Sequence, residues 1–376
     1  YHALTLSISL SRNTQQGVSL IRNIPPLQRL HVCGIHFCRE DGSRWNWYGL
    51  SAFSLAYDIS QGREADVVRF LDWAAANDVT IVRVLTTARG LFDLDPVVGR
   101  DATEIVLQLA TGRGLYTELV GLADTNKRTF DHTDHLQRLG ALCQRYASCL
   151  GVEIANEPRH PTQLKQVSES AYLASLAKLI PDEVLVAYGA AHGPSDESQD
   201  YTGGDYVTVH GDRTGGDDGW RYVRHTREMQ AWRDRAHHKP VVNDEPKRNV
   251  TDVDKHLALG LLTRLYSIGD TFHYAGGLKG QIPEGDDLQA FLARRRAWKA
   301  LPQDWEGRYS RATLAGDPIS KLDTTQILRA YSAINGNTAW VLGMKVESEA
   351  SIQWRSGWHA DKHIDIGKTR LWFATR

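Results

Sequence analysis

At 376 residues the chain has room for one large core plus a smaller appendage. Its 44 Lys+Arg balance 45 Asp+Glu, and a net charge of −1 offers no basic surface to nucleic acid or to an anionic membrane. The apolar runs all fall well short of the roughly 20 residues that a membrane-spanning helix needs, so neither nucleic acid nor membrane is an expected partner.

The chain opens with YHALTLSISLS, which has no Met and lacks the basic start and small-residue cleavage site of a leader. This reads as a mature or trimmed chain and leaves the compartment open. Leu4, Leu6, Ile8 and Leu10 alternate, predicting a strand within an N-terminal extension over residues 1–30. The stretch HVCGIHFCREDGSRWNWYG (31–49) predicts a β-hairpin turning at Asp41-Gly42.

From residue 48 short apolar strands alternate with amphipathic helices. Strands are predicted over 48–55, 80–85, 115–122, 150–156, 183–188, 206–210, 240–242 and 271–274. Helices are predicted over 63–78, 103–110, 134–148, 163–180, within 219–236, and over 253–267 and 287–301. The polar, Gly-rich segment 189–205 leaves the fifth strand without a helix. Eight strand–helix units predict a parallel sheet closed into a (β/α)8 TIM barrel over 31–306, with the hairpin plugging its floor. A doubly wound open sheet is the alternative, disfavoured by the eight successive units and by the lack of a Gly-rich phosphate turn. From about Gly307 the pattern alternates again around Asn335-Gly336, predicting a small antiparallel β-sandwich over 307–376 to which the N-terminal strand is a candidate addition.

The four cysteines, Cys33, Cys38, Cys143 and Cys149, do not match zinc-site spacing. Cys143 shares the apolar face of its helix with Leu136, Leu139 and Leu142, so buried free thiols are expected, with a disulfide as the alternative in an exported protein.

In a (β/α)8 barrel the chemistry sits at the C-terminal ends of the strands. There the fourth strand ends in GVEIANEP and the seventh in PVVNDEP, delivering Glu157 and Glu245 across the mouth from each other. Either Glu-Pro alone reads best as a loop residue capping the next helix. Two facing carboxylates, by contrast, are what glycosidic-bond hydrolysis requires: one protonated to donate to the leaving oxygen, one ionised to attack or to activate water. Arg83 in the second strand, if beside Glu245, favours its ionised form; Glu157 against apolar walls and facing an anion favours the protonated one. By itself Arg83 reads as a structural ion pair, and His210 as a ligand of a backbone carbonyl.

IANEP and VVNDEP together resemble the signature of clan A glycoside hydrolases, which includes the family five cellulases and mannanases. The likeness covers roughly residues 45–300, and RWNWYGLSAF at the first strand resembles the way many clan members begin. The resemblance implies a retaining β-glycosidase that acts on carbohydrate and uses no cofactor and no metal. It assigns Glu157 as acid/base, Glu245 as nucleophile, Asn156 as the ligand of the sugar 2-hydroxyl, and Arg83 as hydrogen-bonding the nucleophile. His210 takes the place of the first member of a His/Tyr pair, although Gly211-Asp212 follow it. The eighth strand ends in TFHYAGG where the clan has a tryptophan, so His273 or Tyr274 must serve under the sugar. The resemblance also favours a secreted or periplasmic location. Eleven tryptophans suit either packing or sugar platforms. Trp220, after the sixth strand, either stacks on sugar or packs downward to start a helix.

Two other functions compete. A non-catalytic carbohydrate-binding protein would have little need of both acids together with Asn156 and Arg83. A metal-assisted hydrolase would place ligands at the first strand, which here reads LSAFSL. Sugar identity, linkage and endo- or exo-action lie in loop shape and are not read from the sequence.

Overall fold

The computed structural model describes residues 26–190, 201–211, 226–246, 248, 250, 252–309 and 317–376. The N-terminal extension, Trp220 and residues 191–200 of the Gly-rich segment therefore lie outside the described residues.

Eight parallel strands form the barrel: Tyr48–Ser51, Ile81–Leu85, Tyr116–Leu122, Cys149–Ala155, Leu185–Ala187, Val207–Val209, Val241–Asn243 and Ile268–Phe272. Taken as strands one to eight, they pair in the order five-four-three-two-one-eight-seven-six. Between strands five and six the ladder gives way to a loop, with Asp205 N donating to Val186 O at 2.7 Å and Ala187 bridging Gly204. The barrel is thus nearly closed.

Alternation along the strands sorts the side chains. Val82, Val84, Val152 and Ile154 face outward and pack against the helices Glu64–Ala76, Pro96–Thr111 and His132–Arg145. The inward set forms layers. The lowest holds Ile81, Tyr116, Leu150, Leu185, Tyr206 and Val242, which rest on Leu30, Phe37, Trp45 and Trp47 of the preceding segment. That segment forms a small antiparallel sheet of His31–Cys33, His36–Cys38 and Arg44–Trp45 across the barrel floor. It has two turns, one through Asp41-Gly42 and one, not foreseen, at Gly34-Ile35. The upper inward residues, Phe53, Leu85 and Val120, form a separate apolar cluster near the mouth.

Several element boundaries differ from expectation for identifiable reasons. Strand one stops at Ser51, and the next residues turn into a short helix, Leu55–Ser60, whose start is tied by Ser54 Oγ donating to Asp58 at 2.8 Å. The third helix begins at Pro96 rather than 103: Asp95 accepts from Val97 N at 2.8 Å and proline occupies the first position, a start signal ahead of the apolar stripe. The stretch 163–180 divides into a 3-10 turn, Lys165–Ser168, and a helix, Ser170–Ala177. There the Ser168 hydroxyl donates to Lys165 O at 2.7 Å, a local bond that competes with helix continuation.

The expectation of free thiols is overturned: Cys33 pairs with Cys38 and Cys143 with Cys149. The hairpin at Gly34-Ile35 folds the first pair together, with Cα atoms 6.0 Å apart. The second joins the last turn of a helix to the start of strand four.

Beyond the barrel, Ile327–Asn335, Thr338–Val346, His359–Ile366 and Thr369–Thr375 form a four-stranded antiparallel sheet. Trp340, Leu342, Leu371 and Phe373 bury one face of it against Leu257 and Leu261 of the helix Val253–Leu265 and against Trp305. A two-stranded ribbon, Ile319–Leu322 with Ile352–Trp354, lies near the other face through Leu322, Ile352, Ala330 and Trp372. Among the described residues no helix is long and apolar enough to cross a membrane.

Candidate active site

Strand four ends where Asn156 N donates to Leu122 O at 2.9 Å, and the chain then turns sharply at Glu157. Glu157 has φ +44°, a conformation that a β-carbon disfavours, and such strain survives only where surrounding contacts enforce it. The enforcing contacts are His160 N donating to Glu157 O at 2.7 Å and the close approach of Gly189. Gly189 has φ +123°, and a β-carbon there would stand 2.0 Å from Ala155 O. The turn directs the Glu157 carboxylate into the mouth, where 6 % of the residue remains exposed. Glu245, beyond the tip of strand seven, is equally deep at 6 %.

The two glutamates converge. One oxygen of each, together with a ring nitrogen of His210, lie mutually within 4.8 Å. His210 stands between them, with Nδ1 3.0 Å from Glu157 Oε1 and Nε2 3.2 Å from Glu245 Oε2. His273 approaches Glu245 from strand eight, Nε2 to Oε1 at 3.3 Å, while its Nδ1 meets Ser51 Oγ at 2.8 Å. Phe53 packs against the His273 ring, with centroids 5.5 Å apart.

Arg83 lies beneath this group and is 1 % exposed. Its role departs from a simple hydrogen bond to Glu245, since Nη1 is 3.6 Å from Glu245 Oε2, an ion-pair distance. The hydrogen bonds of the guanidinium go instead to Glu153 Oε2, from Nε at 2.9 Å and Nη2 at 2.6 Å, and to Asn156 Oδ1 at 2.9 Å. Asp244 Oδ2 is 3.1 Å and Glu118 Oε2 3.5 Å from Nε. The reason for the departure is competition, because four carboxylates share one cation. Since arginine only donates, the bond from Nη2 fixes the Asn156 amide with its oxygen toward Arg83 and its NH2 as the free donor.

The sequence reading passed over Ser51, Glu118, Glu153, Tyr206 and Asp244. A signal was present: Glu118 and Glu153 interrupt apolar strands at the same inward parity as Arg83. The middle layer of the barrel, commonly branched and apolar, is here charged. Burial first, then the neighbouring Asp244 and Glu153, hold Glu118 well above the usual carboxylate range, while Tyr206 donates to its Oε1 at 2.7 Å. Glu153 is raised to about 8, again by burial foremost and against the pull of Arg83.

Tyr274 belongs elsewhere. Alternation turns it away from His273, so that it stacks with Phe272 at 5.3 Å and donates to Gln281 O. It lines a separate cleft of about 910 Å³ between the loops after strands one, two and eight. The ten described tryptophans are all buried or half-buried, consistent with packing rather than exposed sugar platforms. A cation could be spanned by Glu153, His210 and Asp244, also within 4.8 Å of one another, but the Arg83 guanidinium already supplies positive charge there.

The fold is a parallel (β/α)8 barrel, and the solved structures it resembles include glycoside hydrolases of family 5. A family 5 glycoside hydrolase from Bacteroides vulgatus superposes with a TM-score of 0.60 over 92 % of this chain and 93 % of its own, at 13 % identity. A β-glucanase from Saccharophagus degradans in complex with cellotetraose matches with a TM-score of 0.51 over 77 % and 97 % of the two chains, at 12 % identity. A family 5 subfamily 18 protein from Bifidobacterium longum gives 0.50 over 68 % and 80 %, at 10 % identity. At such identities the likeness is one of fold. No protein-family model matches the sequence, and no curated protein matches it.

Proposed function

We propose that this protein is a retaining glycoside hydrolase that cleaves β-glycosidic bonds of an oligo- or polysaccharide, with Glu157 as acid/base and Glu245 as nucleophile. The observation that carries the reading is the approach of a Glu157 oxygen to a Glu245 oxygen within 4.8 Å. Retaining enzymes hold their carboxyl groups about 5–5.5 Å apart, whereas inverting ones leave about 6.5–9.5 Å for a water.

The surroundings of the two glutamates support the same division of roles. Nε2 of His210 and Nε2 of His273 lie 3.2 and 3.3 Å from Glu245, at ion-pair distance. Nδ1 of His210 lies 3.0 Å from Glu157 Oε1, within reach of a hydrogen bond from a protonated Glu157 carboxyl. Nδ1 of His273 meets the Ser51 hydroxyl at 2.8 Å. Arg83 at 3.6 Å adds positive charge beside the nucleophile.

In the first step Glu245 attacks the anomeric carbon while Glu157 gives its proton to the departing oxygen, leaving a glycosyl ester on Glu245. In the second, Glu157 takes a proton from water, which attacks the same carbon and restores the Glu245 carboxylate. The NH2 of Asn156 is the donor available to the sugar 2-hydroxyl.

Azide rescue tests the assignment. On activated aryl β-glycosides, Glu157→Ala and Glu245→Ala are each expected to lose about 10²–10⁴-fold in turnover. With azide added, the first should yield a β-glycosyl azide and the second an α-glycosyl azide. A variant that keeps full activity shows that the wrong carboxylate was chosen.

A further inference from the structure

We propose that Glu153 is a positioning residue of this reaction and that it works as a neutral carboxylic acid, leaving the charge of Arg83 to Glu245. The inference rests on the glycosidase reading above and adds a role to a residue beneath the mouth.

The first ground is charge. Arg83 from strand two meets Glu118 from strand three, Glu153 from strand four, and Asp244 and Glu245 from strand seven, all within 3.6 Å. His210 from strand six borders the same group, and Tyr206 meets Glu118. Glu118, Glu153 and Asp244 are 0 % exposed, so water does not screen them. One guanidinium cannot neutralise four buried carboxylates, so protons must stay on some of them.

The second ground is geometry. Both Arg83 bonds to Glu153 converge on one oxygen, Oε2, from Nε at 2.9 Å and Nη2 at 2.6 Å. The other oxygen, Oε1, is buried and makes no hydrogen bond among the described residues. A carboxylate gripped by an arginine fork ordinarily uses both oxygens. Here one oxygen alone accepts from Arg83, as a carboxylic acid allows. Held along its Nε–Nη2 edge by Glu153 and Asn156, Arg83 presents Nη1 to Glu245.

Burial raises Glu153 against the pull of Arg83, and Glu118 and Asp244 are fully buried around the same cation. If Glu153 loses its proton, its new charge competes with Glu245 for Arg83 and support of the nucleophile weakens.

The test uses the whole chain with Glu153→Gln, a permanent mimic of the neutral acid, and Glu153→Ala, which removes the acceptor. Isotope-edited infrared spectra at pH 6 should show a protonated carboxyl band that Glu153→Gln removes; this readout needs no substrate. The kinetic readout is kcat/KM on a dinitrophenyl β-glycoside, whose departure needs no proton from Glu157. Wild type should decline as pH rises past about 8, the value to which Glu153 is raised. Glu153→Gln should stay within about threefold of wild type at pH 6 and lack that decline, while Glu153→Ala should lose more than tenfold across the range. The proposal is overturned if the band is missing, or if Glu153→Gln loses as much as Glu153→Ala at pH 6. Should the glycosidase reading fail and no glycoside be cleaved, the infrared band still decides whether Glu153 is neutral. Should Glu153→Ala not fold, Glu153→Gln alone decides the pH readout.

Discussion

The glutamates at the strand tips and those inside the barrel are the same residue type with opposite burdens. Glu157 and Glu245 each keep 6 % of their surface toward the mouth, while Glu118 and Glu153 have none. For Glu153 this makes stability depend on pH with a defined sign. Its folded value of about 8 lies above the ordinary 4.5, so between these the unfolded chain has released a proton that the folded chain retains. Stability from this group is therefore full below pH 4.5 and falls as pH rises toward 8. Urea unfolding of wild type and Glu153→Gln at successive pH values should show the wild type losing ground to the variant, by at most roughly 1.4 kcal/mol per pH unit. A difference that stays constant across the window would contradict the neutral acid. The strand-tip pair was legible in the sequence because a carboxylate at the end of an apolar run has nowhere to hide. Glu118, Glu153 and Asp244 were not, because a charge within or beside such a run reads as an interruption until its neighbours from other strands are known.

At the scale of elements, the turn after strand four depends on one glycine far away in sequence. Gly189 follows strand five and has φ +123°, with Ala155 O standing 2.0 Å from where a β-carbon would lie. Gly189→Ala must push the end of strand four, and with it the strained Glu157, out of place. We expect more than a tenfold loss of kcat together with a lower melting temperature; wild-type values of both would show that the turn is held by other contacts. Alternation explains why one neighbour at the eighth strand reaches the site and the other does not. His273 points inward to Glu245, and Tyr274 outward to Phe272. The sequence left both in play because strand eight ends at Phe272, and whether its alternation continues past that end is not written in the pattern. The start of the helix at Pro96 was written plainly in Asp95-Pro96, but the apolar stripe that defines a helix by period begins a turn later.

For the whole molecule, the count of strand–helix units carried the fold, and the closing seam between strands five and six is where that count was weakest. The barrel and the C-terminal sheet share one apolar core through Trp305, Trp340, Leu342, Phe373, Leu257 and Leu261. We therefore expect the sheet to brace the barrel. A chain ending at residue 309 would expose this face, and should be insoluble or unfold without a cooperative transition; a soluble product with the melting temperature of the full chain would contradict bracing. The pairing of all four cysteines suits an oxidising compartment. The pairing escaped the sequence because the Gly34-Ile35 turn that joins Cys33 to Cys38 lay inside what read as one strand of a single hairpin.

The central claim is a covalent bond from sugar to Glu245, and trapping it is the most direct test. The protein would be incubated with 2-deoxy-2-fluoro β-glycosyl fluorides, whose 2-fluorine slows both formation and hydrolysis of the ester while the good fluoride leaving group restores its formation, so that the ester accumulates. Its intact mass and peptides would then be measured. A gain of one fluoroglycosyl unit is expected, located on Glu245 in the peptide PVVNDEP. A label on Asp244 or Glu153, or turnover of natural glycosides with inverted configuration and no trapped adduct, would contradict it.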